Sequence, residues 1–145
     1  MNKLYFTICT LAACTTTQSS LAEDFSNTIK QRQQTFKAIE AFIDDFEKPI
    51  SNIEWEIINK KISELAKLTH QLPELFPPGS SEDSKSKEKI WDSKQDFNHR
   101  LAELNNAFNN MQQASLEKKW QLLTENYKIA KNSCNSCHRK YRSLW

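Results

Sequence analysis

The sequence predicts an all-α protein, folded as an antiparallel four-helix bundle. Three observations predict it. Apolar residues recur at steps of three, four and seven through four separate stretches, the repeat of a single helical face. The 145-residue chain holds one glycine and four prolines, too few for the tight turns of an all-β fold. Two of the breaks between stretches, at Pro49 and Ser115, are short, and short connections make successive helices antiparallel neighbours. A chain of this length forms one domain around one core. Its formal charge of +2 is nearly neutral and does not point to nucleic acid as a partner.

The first residues read as a targeting segment. Lys3 gives a basic start, and Leu4 to Ala13 form an apolar run too short to span a bilayer. Ser20-Leu21-Ala22 offers small residues for ordinary signal cleavage, which makes 1–22 a signal peptide and 23–145 the mature domain. Leu11-Ala12-Ala13-Cys14 resembles a bacterial lipobox instead, which would remove 1–13 and leave Cys14 lipidated. Both routes lead to the bacterial periplasm, with membrane attachment only through Cys14. No later stretch is apolar enough to be a membrane span. After export, Cys134 and Cys137 are the only thiols of the folded domain.

The first helical run is expected over Asp24 to Lys48, with Phe25, Ile29, Phe36, Ile39, Phe42, Ile43 and Phe46 on one face. Pro49 ends it. Ser51-Asn52-Ile53-Glu54 has the pattern of a capping box and opens the second run. Its stripe is Ile53, Ile57, Ile58, Ile62, Leu65, Leu68 and Leu72, and Pro73 stops it. Pro73 to Glu88 is the one long loop, with a polar half expected to be mobile. The third run, Glu88 to Gln113, has the cleanest period: Ile90, Phe97, Leu101, Leu104, Phe108 and Met111. Ser115 is placed to cap the fourth run. There Leu116, Trp120, Leu123, Tyr127, Ala130, Cys134, Cys137 and Tyr141 share a face. The plainest role of each stripe is core packing.

The chemistry lies in the fourth run. Cys134-Asn135-Ser136-Cys137-His138 has the form of a c-type haem attachment site. On a helix, Cys134, Cys137 and His138 stand at i, i+3 and i+4, on one face. Two thiols can add to the two vinyl groups of one haem, and the imidazole can reach the iron from the same side. The bundle is therefore expected to carry one covalently bound haem c near its C-terminal end. Three other uses of these residues are weaker. A Cys134–Cys137 disulfide would be strained across one helical turn and leave His138 unexplained. A zinc site would need a fourth ligand from His70 or His99, far away in sequence. A thioredoxin-like pair belongs at a helix start after a strand, and no strand pattern exists.

A haem motif at the end of a four-helix bundle resembles the cytochrome c′ family, the class II c-type cytochromes. The resemblance spans the whole mature domain. It is carried by Arg32-Gln33-Gln34-Thr35-Phe36-Lys37, by Leu72-Pro73 with Phe76 and Pro78-Gly79, by Ile90-Trp91 with Phe97, and by Cys134 to His138 followed by Tyr141-Arg142. It implies that Phe36, four residues after Arg32, covers the open haem face. It also implies that Arg32 pairs with a haem propionate and that Arg142 borders the proximal pocket. Homodimers through the first two helices are frequent in the family, and Trp55 and Ile58 could serve such an interface or simply pack inside.

The sixth coordination position separates two functions. A second ligand for electron transfer is usually Met. Met111 is the only methionine left after export, and it sits near the far end of the third run. His70 and His99 have polar neighbours and read as surface residues. A five-coordinate high-spin iron with His138 alone is expected, binding small diatomic gases such as nitric oxide or carbon monoxide and able to transfer one electron. A dedicated six-coordinate low-spin electron carrier is the alternative. No acid–base pair or activated nucleophile stands near the motif, so an enzyme is not expected. The basic residues Lys128, Lys131, Arg139, Lys140 and Arg142 could dock an acidic redox partner, or form a solvated face that complements the helix dipole.

Overall fold

The structure, a computed structural model, describes residues 19–47 and 54–143. The targeting segment up to residue 18, with Cys14, the break at Pro49 and the Ser51–Ile53 part of the capping pattern lie outside the described residues. Four long helices form a bundle: α1 (Ser19–Phe46), α2 (Trp55–Gln71), α4 (Lys94–Leu116) and α5 (Trp120–Tyr141). A single turn, α3 (Lys89–Asp92), precedes α4. Among the described residues no helix is long and apolar enough to cross a membrane.

The stripes read from sequence supply most of the core. Ile39, Phe42 and Ile43 of α1, Ile62 and Leu65 of α2, Phe97, Leu101, Leu104, Phe108 and Met111 of α4, and Leu123, Tyr127 and Ala130 of α5 are buried together. The second stripe drifts at its start: Ile57 is 51% exposed. Of the two roles open to Trp55 and Ile58, the structure shows the second: both are half-buried and packed against the core. Helix α2 stops at Gln71 because Pro73 has no N–H to donate, and the chain tightens into a 3₁₀ turn over Leu72–Leu75. Two polar joints fasten α2 to α4. Asn105 Nδ2 donates to Ala66 O (2.8 Å) and Thr69 Oγ1 (2.9 Å), and Asn59 Nδ2 donates to Ser115 Oγ (2.8 Å).

Three expectations about connections are corrected. The third run is not continuous: Ser93 leaves the helical region (φ −122°, ψ 43°). The break lets Ile90 bury while the Trp91 indole N–H reaches Pro77 O (2.8 Å) and Lys94 Nζ reaches Phe76 O (2.9 Å). Ser115 does not cap α5. It lies inside the last turn of α4, 2% exposed, and its hydroxyl donates back to Gln112 O (2.8 Å). Backbone hydrogen bonds close the α4–α5 turn: Lys119 N–H to Ala114 O (2.8 Å) and Lys118 N–H to Ser115 O (3.2 Å), with Lys118 at φ 54°. Leu116 falls outside α5 and is 61% exposed.

The polar loop is tied down at several points. Ser80 is buried under Arg32, and Ser86 pairs with Arg142 in an antiparallel bridge. Lys87 N–H donates to Tyr141 O (3.0 Å) and Ser143 N–H to Lys85 O (2.8 Å). Gly79 turns the chain at φ +86°, where a side chain would be strained.

One end of the bundle is closed by aromatic rings. Phe46 stacks on Tyr127 (4.4 Å between centroids) and on Trp120 (5.6 Å), and Trp55 meets Trp120 edge-on (6.3 Å). The Tyr127 hydroxyl donates to Ile43 O (3.1 Å), pinning the end of α1 to α5. Toward the other end a cavity separates these two helices.

Candidate functional site

Cys134, Cys137 and His138 project from the last turns of α5 into one cavity of about 630 Å³. That volume lies within the range of small-molecule and cofactor sites. Ser133, just before the motif, and Ser136 within it donate to their own helix: Ser133 Oγ to Ala130 O (2.7 Å) and Ser136 Oγ to Ser133 O (2.9 Å). The helix therefore runs unbroken through the motif and holds the i, i+3, i+4 relation. Opposite stands α1, contributing Phe36 with Ile39, Glu40 and Ile43; α4 contributes Phe97, Arg100, Leu101 and Leu104; the loop contributes Ser84 to Ser86. The walls are mainly apolar and polar groups gather at the rim, as a flat hydrophobic ring with charged edge groups requires.

The protonation states leave both thiols protonated and suit His138 to iron ligation. Burial raises the Cys134 thiol and pushes Cys137 up to about 11, with the Arg100 charge opposing it there. Both thiols carry their protons at neutral pH. His138 stays exposed at the cavity mouth, and its partial burial lowers the imidazole below its usual value; Arg142 adds to this and Glu40 opposes it. The neutral ring keeps a lone pair for a metal. Cys134 and Cys137 are free thiols, not a disulfide. Among the described residues no three acid, cysteine or histidine side chains gather into a metal site. His70 and His99 are exposed and do not line the cavity.

The other expected site residues fall into place unequally. Phe36 is half-buried on the facing wall, edge-to-face with Phe76 (6.4 Å). Arg142 lines the cavity in an extended backbone after α5, exposed at the rim. Arg32 also borders the cavity, but it is 2% exposed and already occupied. Its Nη1 donates to Ser80 Oγ (2.9 Å) and Leu75 O (3.2 Å), and its Nη2 to Ser80 O (2.5 Å). Its guanidinium lies 4.6 Å from the Phe76 ring centroid, and burial lowers its pKa to about 10. Among the described residues, Nε–H and one N–H on Nη2, of five donors, have no partner and could meet a carboxylate.

Sequence reading missed the support beneath the motif. Asp96, in the first turn of α4, accepts from Arg100 Nε (2.9 Å), Lys140 Nζ (2.9 Å) and the Tyr141 hydroxyl. Arg100 Nη1 reaches Ser136 Oγ (3.4 Å). These hydrogen bonds, from Arg100 foremost, then Tyr141 and Lys140, hold the Asp96 carboxyl far below its ordinary range. Only the i, i+4 spacing of Asp96 and Arg100 was visible beforehand. Glu40 and Lys85 were missed as well; Glu40 stands four residues after Phe36 on the same face.

The basic cluster is partly neutralised. Lys131 pairs with Glu47 and Lys140 with Asp96, while Lys128, Arg139 and Arg142 stay exposed. Met111 is fully buried in the core and does not line the cavity.

A family model described as cytochrome C′ matches residues 27–142. A search among curated proteins finds no match. Among solved structures, a cytochrome c prime from Shewanella frigidimarina is 22% identical with a TM-score of 0.73, over 83% of this chain and 98% of that one. A cytochrome c′ from Thermochromatium tepidum is 15% identical with a TM-score of 0.74, over 82% and 96%. Ferric cytochrome c prime from Alcaligenes xylosoxidans is 17% identical with a TM-score of 0.74, over 83% and 97%. At these identities the structural likeness speaks for the fold; the matched family model speaks for the family.

Proposed function

The chain belongs to the cytochrome c′ family, whose cofactor is covalently bound haem c, and on that premise we propose that it is an exported gas-binding haem protein with a single protein ligand to iron. The observation that carries the reading is the lining of one cavity. Cys134, Cys137 and His138 stand on one wall and Phe36 on the other, and no Met or second His lines it among the described residues.

Haem supplies an iron that binds small diatomic gases and changes its charge by one electron. The chain does the rest. Cys134 and Cys137 would hold the haem, each thiol adding S–H across one vinyl C=C to give a C–S and a C–H bond with no net oxidation. His138 would offer its ring lone pair to the iron. Phe36, on the facing wall of the cavity, would present an apolar ring that disfavours large or polar ligands and admits small ones by moving aside. Arg32, through its remaining donors, and Arg142 at the rim offer charge-assisted bonds to propionates or to the proximal surroundings. Binding and electron exchange, rather than turnover, are the role proposed, with nitric oxide or carbon monoxide as ligands. The periplasm is the proposed compartment, reached through a signal peptide or a lipidated Cys14.

The test is optical. Absorption spectra of the purified protein are expected to be high-spin in the ferric and ferrous forms, with a ready low-spin adduct when carbon monoxide is added to the ferrous form. A six-coordinate low-spin resting ferric spectrum overturns the reading in favour of a dedicated electron carrier. Phe36→Ala should raise the carbon monoxide association rate by about tenfold or more, a barrier change of at least ~1.4 kcal/mol. Replacing Cys134 and Cys137 with Ser should remove haem that survives denaturation, read on a denaturing gel by haem stain.

A further inference from the structure

We propose that Tyr141 is a redox side chain of the haem site: it gives up one electron when a hydroperoxide oxidises the haem, and Asp96 takes its phenolic proton. The inference rests on the single-ligand reading above, because the hydroperoxide needs the open position on iron, and it adds an activity to that site.

Tyr141 stands where such a donor is needed. It lines the cavity that Cys134, Cys137 and His138 share, and it follows His138 by three residues, on the same face of α5. Its ring is 2% exposed and rests edge-on against Phe97 (5.1 Å between centroids). Among the described residues it is the one tyrosine, tryptophan or methionine side chain that lines the cavity. Tyr127, Trp120 and Trp55 belong to the closed aromatic end, the Trp91 indole N–H is turned to Pro77 O, and Met111 lies in the core. The two cysteines are used by haem attachment and His138 by the iron.

A phenol that loses an electron becomes a strong acid and must shed its proton. For Tyr141 the acceptor is already in place, because its hydroxyl donates to the Asp96 carboxylate. Arg100 Nε (2.9 Å) and Lys140 Nζ (2.9 Å) donate to the same oxygen and fix it on the phenol. The Asp96 side chain is 41% exposed, so a proton received there passes on to water. The ring itself is buried, which shelters a radical on it from coupling to a second molecule.

Two electrons enter the hydroperoxide as its O–O bond breaks. One oxygen leaves as water or an alcohol, and the other stays with the haem. One electron comes from the haem and one from Tyr141, whose proton moves to Asp96. Without Tyr141 the second electron is drawn from the porphyrin, and the macrocycle is exposed to destruction.

The experiment mixes the ferric holoprotein with hydrogen peroxide and reads the rapidly frozen mixture by electron paramagnetic resonance. Tyr5 falls in the proposed targeting segment, so Tyr127 and Tyr141 are the tyrosines of the mature domain. A tyrosyl signal is expected, narrowed when the protein is made with ring-deuterated tyrosine. Tyr127→Phe should keep the signal, which assigns it to Tyr141 without altering the haem site. Tyr141→Phe, which retains the ring against Phe97, should lose it and bleach its haem several-fold faster in peroxide. Asp96→Asn should slow the appearance of the signal by roughly a hundredfold, the loss of a positioned proton acceptor. A signal that survives Tyr141→Phe or vanishes in Tyr127→Phe overturns the assignment, and an unchanged rate in Asp96→Asn overturns the role of the carboxylate. A high-spin parent that peroxide leaves without a tyrosyl signal defeats this inference alone. A six-coordinate low-spin parent defeats the function proposed above, and the inference falls with it.

Discussion

Asp96 shows how a single side chain can hold the site without touching the ligand-binding wall. Its three donors come from α4 itself and from α5, beside the haem motif. Its carboxyl titrates below its ordinary value of 3.8. The stability it contributes is therefore complete above about pH 3.8 and is lost as pH falls toward the depressed value. Asp96→Asn should flatten the acid limb of the stability curve below that pH, measured by denaturant midpoints from pH 5 down to pH 2 (an approximate window). An acid limb as steep as the parent's would contradict this. Arg32 is the other residue whose role exceeds its sequence reading. It is buried beneath the loop, and its loss would strip donors from Ser80 and Leu75 O. Arg32→Ala should cost about 2–3 kcal/mol by urea unfolding.

Among the elements, the helices followed the sequence and the joints did not. The third stripe placed Phe97, Leu101, Leu104, Phe108 and Met111 in the core because a helical face is set by spacing alone. The breaks at Ser93 and after Leu116 depend on what each segment meets across the bundle. At the α4–α5 turn the chain accepts a left-handed lysine where a helix C-terminus usually takes glycine. Lys118→Gly should relieve that backbone conformation and stabilise the protein by about 0.5 kcal/mol net, since glycine also frees the unfolded chain. Thermal or denaturant midpoints measure it, and a destabilised variant would count against the assignment. The loop from Gly79 to Glu88 looked mobile because it is polar. Its backbone finds partners at and just after the end of α5, more than fifty positions away.

At the scale of the molecule, α1 and α5 are joined at one end by rings and kept apart by a cavity along the rest. Covalent haem fills such a gap with apolar surface and adds its own burial to the core. Protein lacking haem, made through the Cys134→Ser and Cys137→Ser pair, should unfold at lower urea concentration. Its amides in α1 between Arg32 and Asp44 should exchange faster than those of α4, read by hydrogen exchange. Equal protection of α1 in the two forms would show that the bundle closes without its cofactor.

The sequence by itself determined the helices, their buried faces and the cysteine–histidine constellation. Each of these is written within one or two turns of chain, where spacing dictates which side chains share a face. Tertiary structure decided the rest: the burial of Arg32 under Ser80, the anchoring of the motif by Asp96, the loop's pairing with Arg142, and the meeting of Phe36 and Glu40 with His138 across a cavity. Those relations depend on how far apart two helices are held by a third, and no local periodicity carries that distance.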